Sequence, residues 1–266
     1  MSVAGSDSGG GAGIQADLKT FAALKVFGTT AITALTVQNS LGVTGIHNAP
    51  PEIIKAQMIA VGKDFPLDAV KTGMLGNRET ISAVAEGLSE LGIKKVVVDP
   101  VMVAQSGDSL LAADAVDAVK NIIVPMAMIV TPNLPEAEKL TGMKIDDVDG
   151  MAAAAREIKK LGCGAVLVKG GHLAGEPEMI TDVLLADGEI SLLRDRRINT
   201  TANHGTGCTL SSAIAAELAA GCSLAEAVAR ARKYLRAGLL YGVTAGHGAG
   251  CLGHAVTMQW TEVVNG

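Results

Sequence analysis

A glycine-rich turn that leads into an apolar helix is the most informative feature of this chain, in the stretch NHGTGCTLSSAIAAELAAG at 203–221. Backbone N–H groups at the beginning of a helix form a binding site for anions, because they have no partners within the helix. Here they belong to Gly205, Thr206, Gly207 and Cys208. A helix N-terminus also lowers the pKa of a thiol, which makes Cys208 a candidate for chemistry. The alternative is a glycine turn in which a buried cysteine only fills space.

A second set of polar residues follows the apolar runs that read as strands. Asp99 and Glu136 are carboxylates that can hold Mg²⁺ beside phosphates, directly or through water. Lys169 precedes two glycines and can neutralise a phosphate. Each has a simpler explanation: Asp99 as a turn former, Lys169 as a solvated strand end, and Asn133 with Glu136 as a helix cap. Their occurrence together favours the ligand-binding interpretation.

The other glycine cluster is AGSDSGGGAGIQAD at 4–17. It precedes a predicted helix but lacks the G-x-G-x-x-G spacing of a dinucleotide-binding turn. The chain also lacks the G-x-x-x-x-G-K-[ST] pattern of P-loop proteins. A flexible turn would account for the glycines, but their density beside Asp7 and Asp17 favours a close approach of the backbone to a ligand.

Short β-branched runs alternate with helical segments along the chain. The predicted strands are nearly continuous apolar runs, as expected for strands covered by helices on both faces. They lie at 31–38, 68–73, 95–100, 128–133 and 165–171. Asp187-Gly188 between two apolar runs predicts a hairpin, and two terminal helices are predicted at 208–220 and about 224–240. The pattern predicts a doubly wound α/β fold with a mostly parallel sheet.

Polar residues stand at the carboxyl ends of four predicted strands, namely Lys71, Asp99, Thr131 and Lys169. Ligands of open α/β sheets bind just outside the carboxyl ends of the strands. The sequence therefore predicts one site at this edge of the sheet.

The composition limits the classes of function. The chain has 266 residues, of which 48 % are hydrophobic and 18 % charged, and this predicts a large core and a single domain over 1–266. A net charge of −5 and only 2 % aromatic residues predict no nucleic-acid partner. No stretch resembles a signal peptide or a membrane span, so no membrane partner is expected. Four cysteines without metal-ligand spacing predict reduced thiols in the cytoplasm.

Eight motifs occur in the order seen in the hydroxymethylpyrimidine/phosphomethylpyrimidine kinases, enzymes of thiamine synthesis with a ribokinase-like fold. They are AGSDSGGGAGIQADLKTF, TALTVQNSLGV, KTGMLG, VVVDPVM, SGDSLL, TPNLPEAEKL, VKGGH and NHGTGCTLSSAIA. The resemblance extends to about Gly250, and it implies a single ribokinase-like domain. It also implies that MgATP phosphorylates 4-amino-5-hydroxymethyl-2-methylpyrimidine and then the monophosphate.

The same resemblance assigns roles to residues. Cys208 would lie beside the acceptor hydroxyl, where most ribokinase-like enzymes carry an aspartate base, and the turn 205–207 would hold the γ-phosphoryl group. Because phosphoryl transfer passes through a loose transition state, positioning and charge neutralisation can dominate, and a weaker base suffices. Asn133 and Lys169 would hold nucleotide phosphates. The residues implied to line the pyrimidine pocket are Gly5, Asp17 and Gln38.

Two other functions are compatible with the motifs. Pyridoxine and pyridoxal kinases also carry cysteine in this turn, but Gln38 favours the pyrimidine, because an amide offers both a donor and an acceptor to an aminopyrimidine edge. A ligand-sensing module without catalysis is disfavoured by the intact set of Asp99, Glu136, Lys169 and Cys208. A homo-oligomer, with a dimer favoured, is expected in each case.

The chain departs from the family pattern at its two ends. Only three residues precede Ala4, so the first strand is expected to be shorter than usual. The tail GHGAGCLGH carries Cys251 where the family commonly has proline, which concerns the loop near the nucleotide.

Overall fold

Nine strands of the chain form one sheet. The computed structural model describes residues 1–102, 115–171, 173 and 178–256. Its strands are β1 (Ser2–Asp7), β2 (Thr30–Asn39), β3 (Gly42–Asn48), β4 (Val70–Thr72), β5 (Val96–Val98), β6 (Ile129–Val130), β7 (Ala165–Val168), β8 (Met179–Ala186) and β9 (Glu189–Arg196). They are arranged in the order β3-β2-β1-β4-β5-β6-β7-β8-β9. The six neighbouring strands β2, β1, β4, β5, β6 and β7 run parallel to one another. Strand β3 at one edge of the sheet, and β8 and β9 at the other edge, are in antiparallel pairs. The predicted mostly parallel sheet is confirmed.

Helices cover both faces of this sheet. They are α1 (Gly13–Ala23), α2 (Pro51–Asp64), α3 (Arg78–Glu90), α4 (Ala115–Ala118), α5 (Leu134–Thr141), α6 (Val148–Lys159), α7 (Thr206–Ala219) and α8 (Leu224–Leu240). One apolar cluster joins α1, α7 and α8 to the strand face that carries Val97, and a larger cluster joins the other helices to the face that carries Val96 and Val98. Because successive side chains of a strand point to opposite faces, this division accounts for the continuous apolar runs.

Three local features differ from the predictions or refine them. Strand β3 was not predicted, because its sequence GVTGIHN has two glycines and little apolar alternation. The segment AADAVDAVKNII at 112–123 predicts one helix, but in its described part α4 ends at Ala118 and a π-helical turn over Val119–Ile123 follows it. The hairpin at Asp187-Gly188 is confirmed, and both residues have positive φ, as a type I′ turn requires. The SGDSLL motif lies outside the described residues.

The chain returns to the same edge of the sheet at each parallel strand. The carboxyl ends of β1, β5 and β7 lead into Asp7, Asp99 and Lys169, and α7 begins at this edge. Among the helices in the described ranges, none has the length and apolar character needed to cross a bilayer. The prediction of a single domain over 1–266 stays a prediction.

Candidate active site

Helix α7 begins against the first glycine cluster. Gly205 precedes the helix with φ +82°, a left-handed conformation that favours glycine. A Cβ atom at this position would lie 1.8 Å from the carbonyl oxygen of Gly11, so only glycine permits this contact. Gly205 provides no side-chain cap to the helix, which leaves the N–H groups of Thr206, Gly207 and Cys208 for other acceptors. The turn has the geometry of an anion site.

Asp99 and Lys169 lie beside this turn. A Cβ atom at Gly207 would be 3.2 Å from Lys169 Nζ and 3.5 Å from Asp99 Oδ2. Lys169 Nζ donates to Asp99 Oδ1 at 3.1 Å, and Ser211 Oγ donates to Asp99 Oδ2 at 3.3 Å. Burial by itself lowers the pKa of Lys169, but the carboxylates of Asp99 and Glu136 raise it overall. The structure therefore places a charged ammonium group next to the anion turn.

Asn133 and Glu136 form a capping box at the beginning of α5. Asn133 Oδ1 accepts from the N–H of Glu136 at 2.9 Å, and Glu136 Oε2 accepts from the N–H of Asn133 at 2.8 Å. The cap uses one oxygen atom of each side chain. Asn133 is also bridged to Lys169 across the sheet edge, so the cap stands next to the ammonium group. The helix-cap explanation thus describes the local geometry, and the position beside Lys169 keeps a ligand role open.

The two predicted metal ligands share one electrostatic environment. Burial raises the pKa of Glu136 to about 7, Lys169 opposes this shift, and Asp99 adds to it. The described residues contain no group of three or more His, Cys, Asp or Glu side chains placed to hold a metal ion. Mg²⁺ commonly uses only one or two carboxylates and takes its other oxygens from phosphates and water. Asp99 and Glu136 fit that pattern of binding.

The Cys208 thiol is not activated in the way that its position suggested. Burial raises its pKa to about 11, and Asp17 and Asp99 raise it further, whereas Lys71 and the N–H of Gly13 lower it. The prediction that the helix N-terminus lowers this pKa is wrong, because the cost of desolvating a thiolate is larger than the gain from the helix. The thiol is protonated at neutral pH in the ligand-free protein.

Asp17 and Lys71 form a fully buried ion pair close to the thiol. Lys71 Nζ lies 2.9 Å from Asp17 Oδ2, and both side chains are inaccessible to solvent. Ser212 Oγ donates to Asp17 Oδ1 at 2.6 Å, and Ser2 Oγ donates to Asp17 Oδ2. Asp17 was predicted to line the pyrimidine pocket, and the structure places its carboxylate in the interior with these three partners. Neither its pairing with Lys71 nor the full burial of the lysine was predicted.

Gly5 and Gln38 lie on neighbouring strands of the sheet. Gly5 is buried in β1, where a Cβ atom would be 2.7 Å from Met74 Cε. Gln38 lies on β2 at an irregularity in its pairing with β3, and its Oε1 accepts from Thr36 Oγ1 at 3.0 Å. Its side chain is partly exposed, so its amide is accessible to a ligand.

Asp7 organises the first glycine cluster, a role that was not predicted. Its carboxylate accepts from the N–H groups of Gly9, Gly11 and Ala12 at 2.8–3.0 Å and lies 3.2 Å from His204 Nε2. Burial alone raises the pKa of Asp7, but these hydrogen bonds lower it overall. The cluster is therefore a loop held by a carboxylate rather than a flexible turn. An aspartate two residues before a glycine run is the signal that indicates such a loop.

A second aspartate fixes the backbone that follows Lys169. Asp182 Oδ1 accepts from the N–H of Gly170 at 2.9 Å, and Arg232 Nε donates to Asp182 Oδ2 at 2.9 Å. A Cβ atom at Gly170 would be 1.8 Å from the carbonyl oxygen of Thr181. The glycine after the lysine is therefore required by the close contact with β8.

Comparison of the sequence with known families agrees with this geometry. The model of the phosphomethylpyrimidine kinase family matches residues 7–253. The hydroxymethylpyrimidine/phosphomethylpyrimidine kinase of Rhizobium meliloti is 54 % identical over 240 residues, which are 90 % of this chain and 89 % of the relative. The enzyme of the same name from Haemophilus influenzae is 48 % identical and covers 96 % of this chain and 95 % of its own length.

Solved structures are similar over nearly the same range. The phosphomethylpyrimidine kinase of Clostridium difficile 630 has a TM-score of 0.79 and 44 % identity, covering 88 % of this chain and 96 % of its own. An ADP complex of Bacillus subtilis pyridoxal kinase has a TM-score of 0.89 and 36 % identity, covering 96 % of each chain. These similarities confirm the predicted ribokinase-like fold. Together with the match over residues 7–253, they show that the chain belongs to the phosphomethylpyrimidine kinase family.

Proposed function

We propose that the chain is an ATP-dependent kinase of thiamine biosynthesis. It phosphorylates 4-amino-5-hydroxymethyl-2-methylpyrimidine and then converts the monophosphate to the diphosphate. The observation that carries this proposal is the anion turn at the beginning of α7, with Lys169 and Asp99 beside it and the Cys208 thiol in its first turn. Membership of a family whose curated relatives bear this activity in their names supports the choice of acceptor.

The nucleotide end of the proposed site combines backbone donors with the ammonium group of Lys169. The N–H groups of the turn 205–207 would bind the γ-phosphoryl group, and Lys169 and Asn133 would bind neighbouring phosphates. Asp99 and Glu136 would hold Mg²⁺, which neutralises charge on the transferred group when it is bound. Because all these groups are fixed by the sheet edge and by helix caps, they are positioned before the nucleotide binds.

The acceptor end of the proposed site is formed by Cys208, Gly5 and Gln38. Cys208 would contact the acceptor hydroxyl, and Gln38 would pair with the aminopyrimidine edge through its amide. The bare backbone at Gly5 would let the ring approach β1 closely. Asp17 has no exposed surface, so we propose that it supports this pocket through Lys71 and α7 instead of touching the ring.

A protonated thiol is compatible with transfer to an alcohol. In a loose transition state the acceptor hydroxyl keeps its proton until late, so early removal of the proton is not required. Cys208 then orients the hydroxyl through its own hydrogen bond and stays neutral beside the incoming phosphates. The chemistry depends mainly on positioning by the turn and on the charges of Lys169 and the metal.

Pyridoxal phosphorylation is the second candidate function. It is favoured by the close structural similarity to the pyridoxal kinase of Bacillus subtilis. Gln38 argues against pyridoxal as the principal acceptor, since an amide offers both a donor and an acceptor to an aminopyrimidine edge. The ligand-sensing alternative is less well supported, because the turn, Lys169 and Asp99 lie together as a kinase would need them.

The proposed partners are small molecules and a second copy of the chain. Leu35 and Val37 alternate along β2 and are 55 % and 65 % exposed, and Leu41 at the turn into the edge strand β3 is 66 % exposed. An apolar patch on an edge hairpin is typical of an interface, so we propose a dimer through this hairpin.

The four free cysteines are compatible with a reducing compartment, and the proposed location is the cytoplasm.

The acceptor of the purified protein provides the first prediction. ATP consumption is expected to depend on the hydroxymethylpyrimidine and on Mg²⁺, and mass spectrometry is expected to detect the diphosphate as the final product. Pyridoxal is expected to be a poorer acceptor. Efficient turnover of pyridoxal without any turnover of the pyrimidine would contradict the proposal, and turnover of neither would favour the sensing module.

The substitution Gln38→Met tests the recognition of the ring. It removes the amide at nearly constant volume and leaves polar groups of the pyrimidine unpaired, at a cost of about 1–3 kcal/mol. The kcat/KM for the pyrimidine is expected to fall roughly 5- to 150-fold while pyridoxal turnover is maintained or increased. Thr36→Val is the matched control and is expected to have a smaller effect, because it removes a hydroxyl that contacts Gln38 Oε1 and the carbonyl oxygen of Ser6 but keeps the amide. An unchanged acceptor preference in Gln38→Met would show that the amide does not recognise the ring.

Substitutions of Cys208 separate binding from turnover. Cys208→Ala removes the hydrogen bond that orients the acceptor hydroxyl and is expected to lower the single-turnover rate by roughly 10²-fold. ATP affinity, measured by calorimetry, is expected to stay nearly intact, because the backbone turn and Lys169 remain. Cys208→Ser keeps a hydrogen-bonding group at this place and is expected to restore part of the activity. Cys208→Asp is expected to retain partial turnover with weaker ATP binding, since its carboxylate lies near the phosphates. Near-normal turnover of Cys208→Ala would show that the thiol contributes only to packing.

The oligomeric state is tested by light scattering coupled to size-exclusion chromatography. The protein is expected to elute as a dimer, and Val37→Lys is expected to shift it to the monomer by placing a charge in the apolar patch. Leu240→Lys, which makes the same change at an exposed position of α8 that is 66 % accessible, is the control and is expected to remain dimeric. A wild-type monomer at high micromolar concentration would contradict the proposed interface.

A further inference from the structure

The buried ion pair beneath the thiol has no explanation in the fold alone. Lys71 is the largest fully buried side chain among the described residues, and Asp17 is equally inaccessible. A buried ion pair contributes little net stability, because desolvation of both charges offsets their attraction. Apolar side chains of similar volume would fill this space at least as well. The pair therefore calls for a role that depends on its charges.

Two parallel helices place the pair one turn away from the thiol. The N–H of Gly13, the first residue of α1, donates to Cys208 in the first turn of α7. One turn further along each helix, Ser212 donates to Asp17 at 2.6 Å. Lys71 reaches this layer from the end of β4 and contacts both oxygens of Asp17, at 2.9 and 3.0 Å. Thiol, carboxylate and ammonium thus form one cluster held by three different elements.

Four charged groups act on the thiol. Lys71 from β4 has the largest effect among them and favours the thiolate, whereas Asp17 from α1 and Asp99 after β5 oppose it. Lys169, from the end of β7, also interacts with Cys208. Asp17 is the partner of Lys71 in the ion pair, so it partly cancels the field that the ammonium group produces at the sulfur atom.

We propose that Lys71 and Asp17 are positioning residues that together set the ionisation of the Cys208 thiol, with Lys71 favouring the thiolate and Asp17 restraining it. This proposal rests on the proposed function only in giving Cys208 a place at the acceptor hydroxyl. A restrained thiol stays neutral when the triphosphate arrives and so does not repel it.

The test measures the thiol directly, without turnover. The rate of alkylation of Cys208 by iodoacetamide is followed from pH 7 to 10 by peptide mass spectrometry, in protein free of metal and nucleotide. Asp17→Asn leaves Lys71 uncompensated, so alkylation at a given pH is expected to accelerate by about tenfold or more. The double variant Asp17→Asn/Lys71→Met removes both charges. Because Lys71 has a larger effect on the thiol than Asp17 has, alkylation of Cys208 in the double variant is expected to be slower than in the wild type.

Controls separate charge from packing. Ser212→Ala removes a hydrogen bond to Asp17 without changing a charge, and Lys71→Arg keeps the charge, so both are expected to retain the wild-type profile. Cys222 at the far end of α7 is an internal reference whose rate is expected to be the same in every variant. The double variant keeps the test available if Asp17→Asn does not fold, because it leaves no unpaired buried charge.

The proposal predicts that alkylation of Cys208 becomes faster in Asp17→Asn and slower in the double variant. Any other pair of changes overturns it. If only the double variant folds, a profile equal to that of the wild type overturns it. Neither result depends on the acceptor. A protein that fails to phosphorylate the pyrimidine but shows the two opposite shifts would contradict the proposed function and leave this inference intact.

Discussion

The carbonyl oxygen of Gly11 occupies the place where any other residue at 205 would carry its Cβ atom, and the site depends on this contact. It brings the loop after β1 against the turn before α7, although the two segments are nearly two hundred residues apart. Each segment has a device that holds it there: Asp7 binds the N–H groups of the first loop, and His204 joins Asp7 from the second. Helices α1 and α7 then begin side by side, which places Cys208 against the N–H of Gly13.

Desolvation and charge compete at the site formed by this contact. The free N–H groups of α7 and the ammonium groups of Lys71 and Lys169 all favour an anion, yet the pKa of Cys208 rises to about 11. The reason is that burial penalises a thiolate more than these groups stabilise it, and that Asp17 and Asp99 already pair with the two lysines. Binding of a phosphate is different, because the ligand arrives ionised and no proton has to be removed from a buried group. The same positive groups therefore attract a phosphate and leave the thiol neutral.

Residue patterns predicted the fold well because strands covered on two faces leave a simple signature of continuous apolar runs. Strand β3 was missed because an edge hairpin with glycines has no such signature. The polar residues at strand ends were recognisable by type, and the structure brings Asp99, Lys169 and Gly207 within contact. Their environment was not predictable, because the pKa of Cys208 depends on how deeply it is buried and on Lys71, which is distant in sequence. The pairing of Asp17 with Lys71 likewise depends on the packing of α1 against β4, which no local pattern encodes.

The charges around the turn give a physical reason for cysteine at position 208. Asp17 and Asp99 act on the Cys208 thiol, and Glu136 shares the environment of Asp99 and Lys169, so three carboxyl groups already belong to the site. Burial raises the pKa of Glu136 to about 7, and the neighbouring Asp99 carboxylate adds to this shift. A fourth carboxylate at 208 would either take up a proton or repel a triphosphate from the N–H groups of its own helix. A neutral thiol occupies the same place, can hydrogen-bond to a hydroxyl, and leaves the positive end of α7 available to the phosphates.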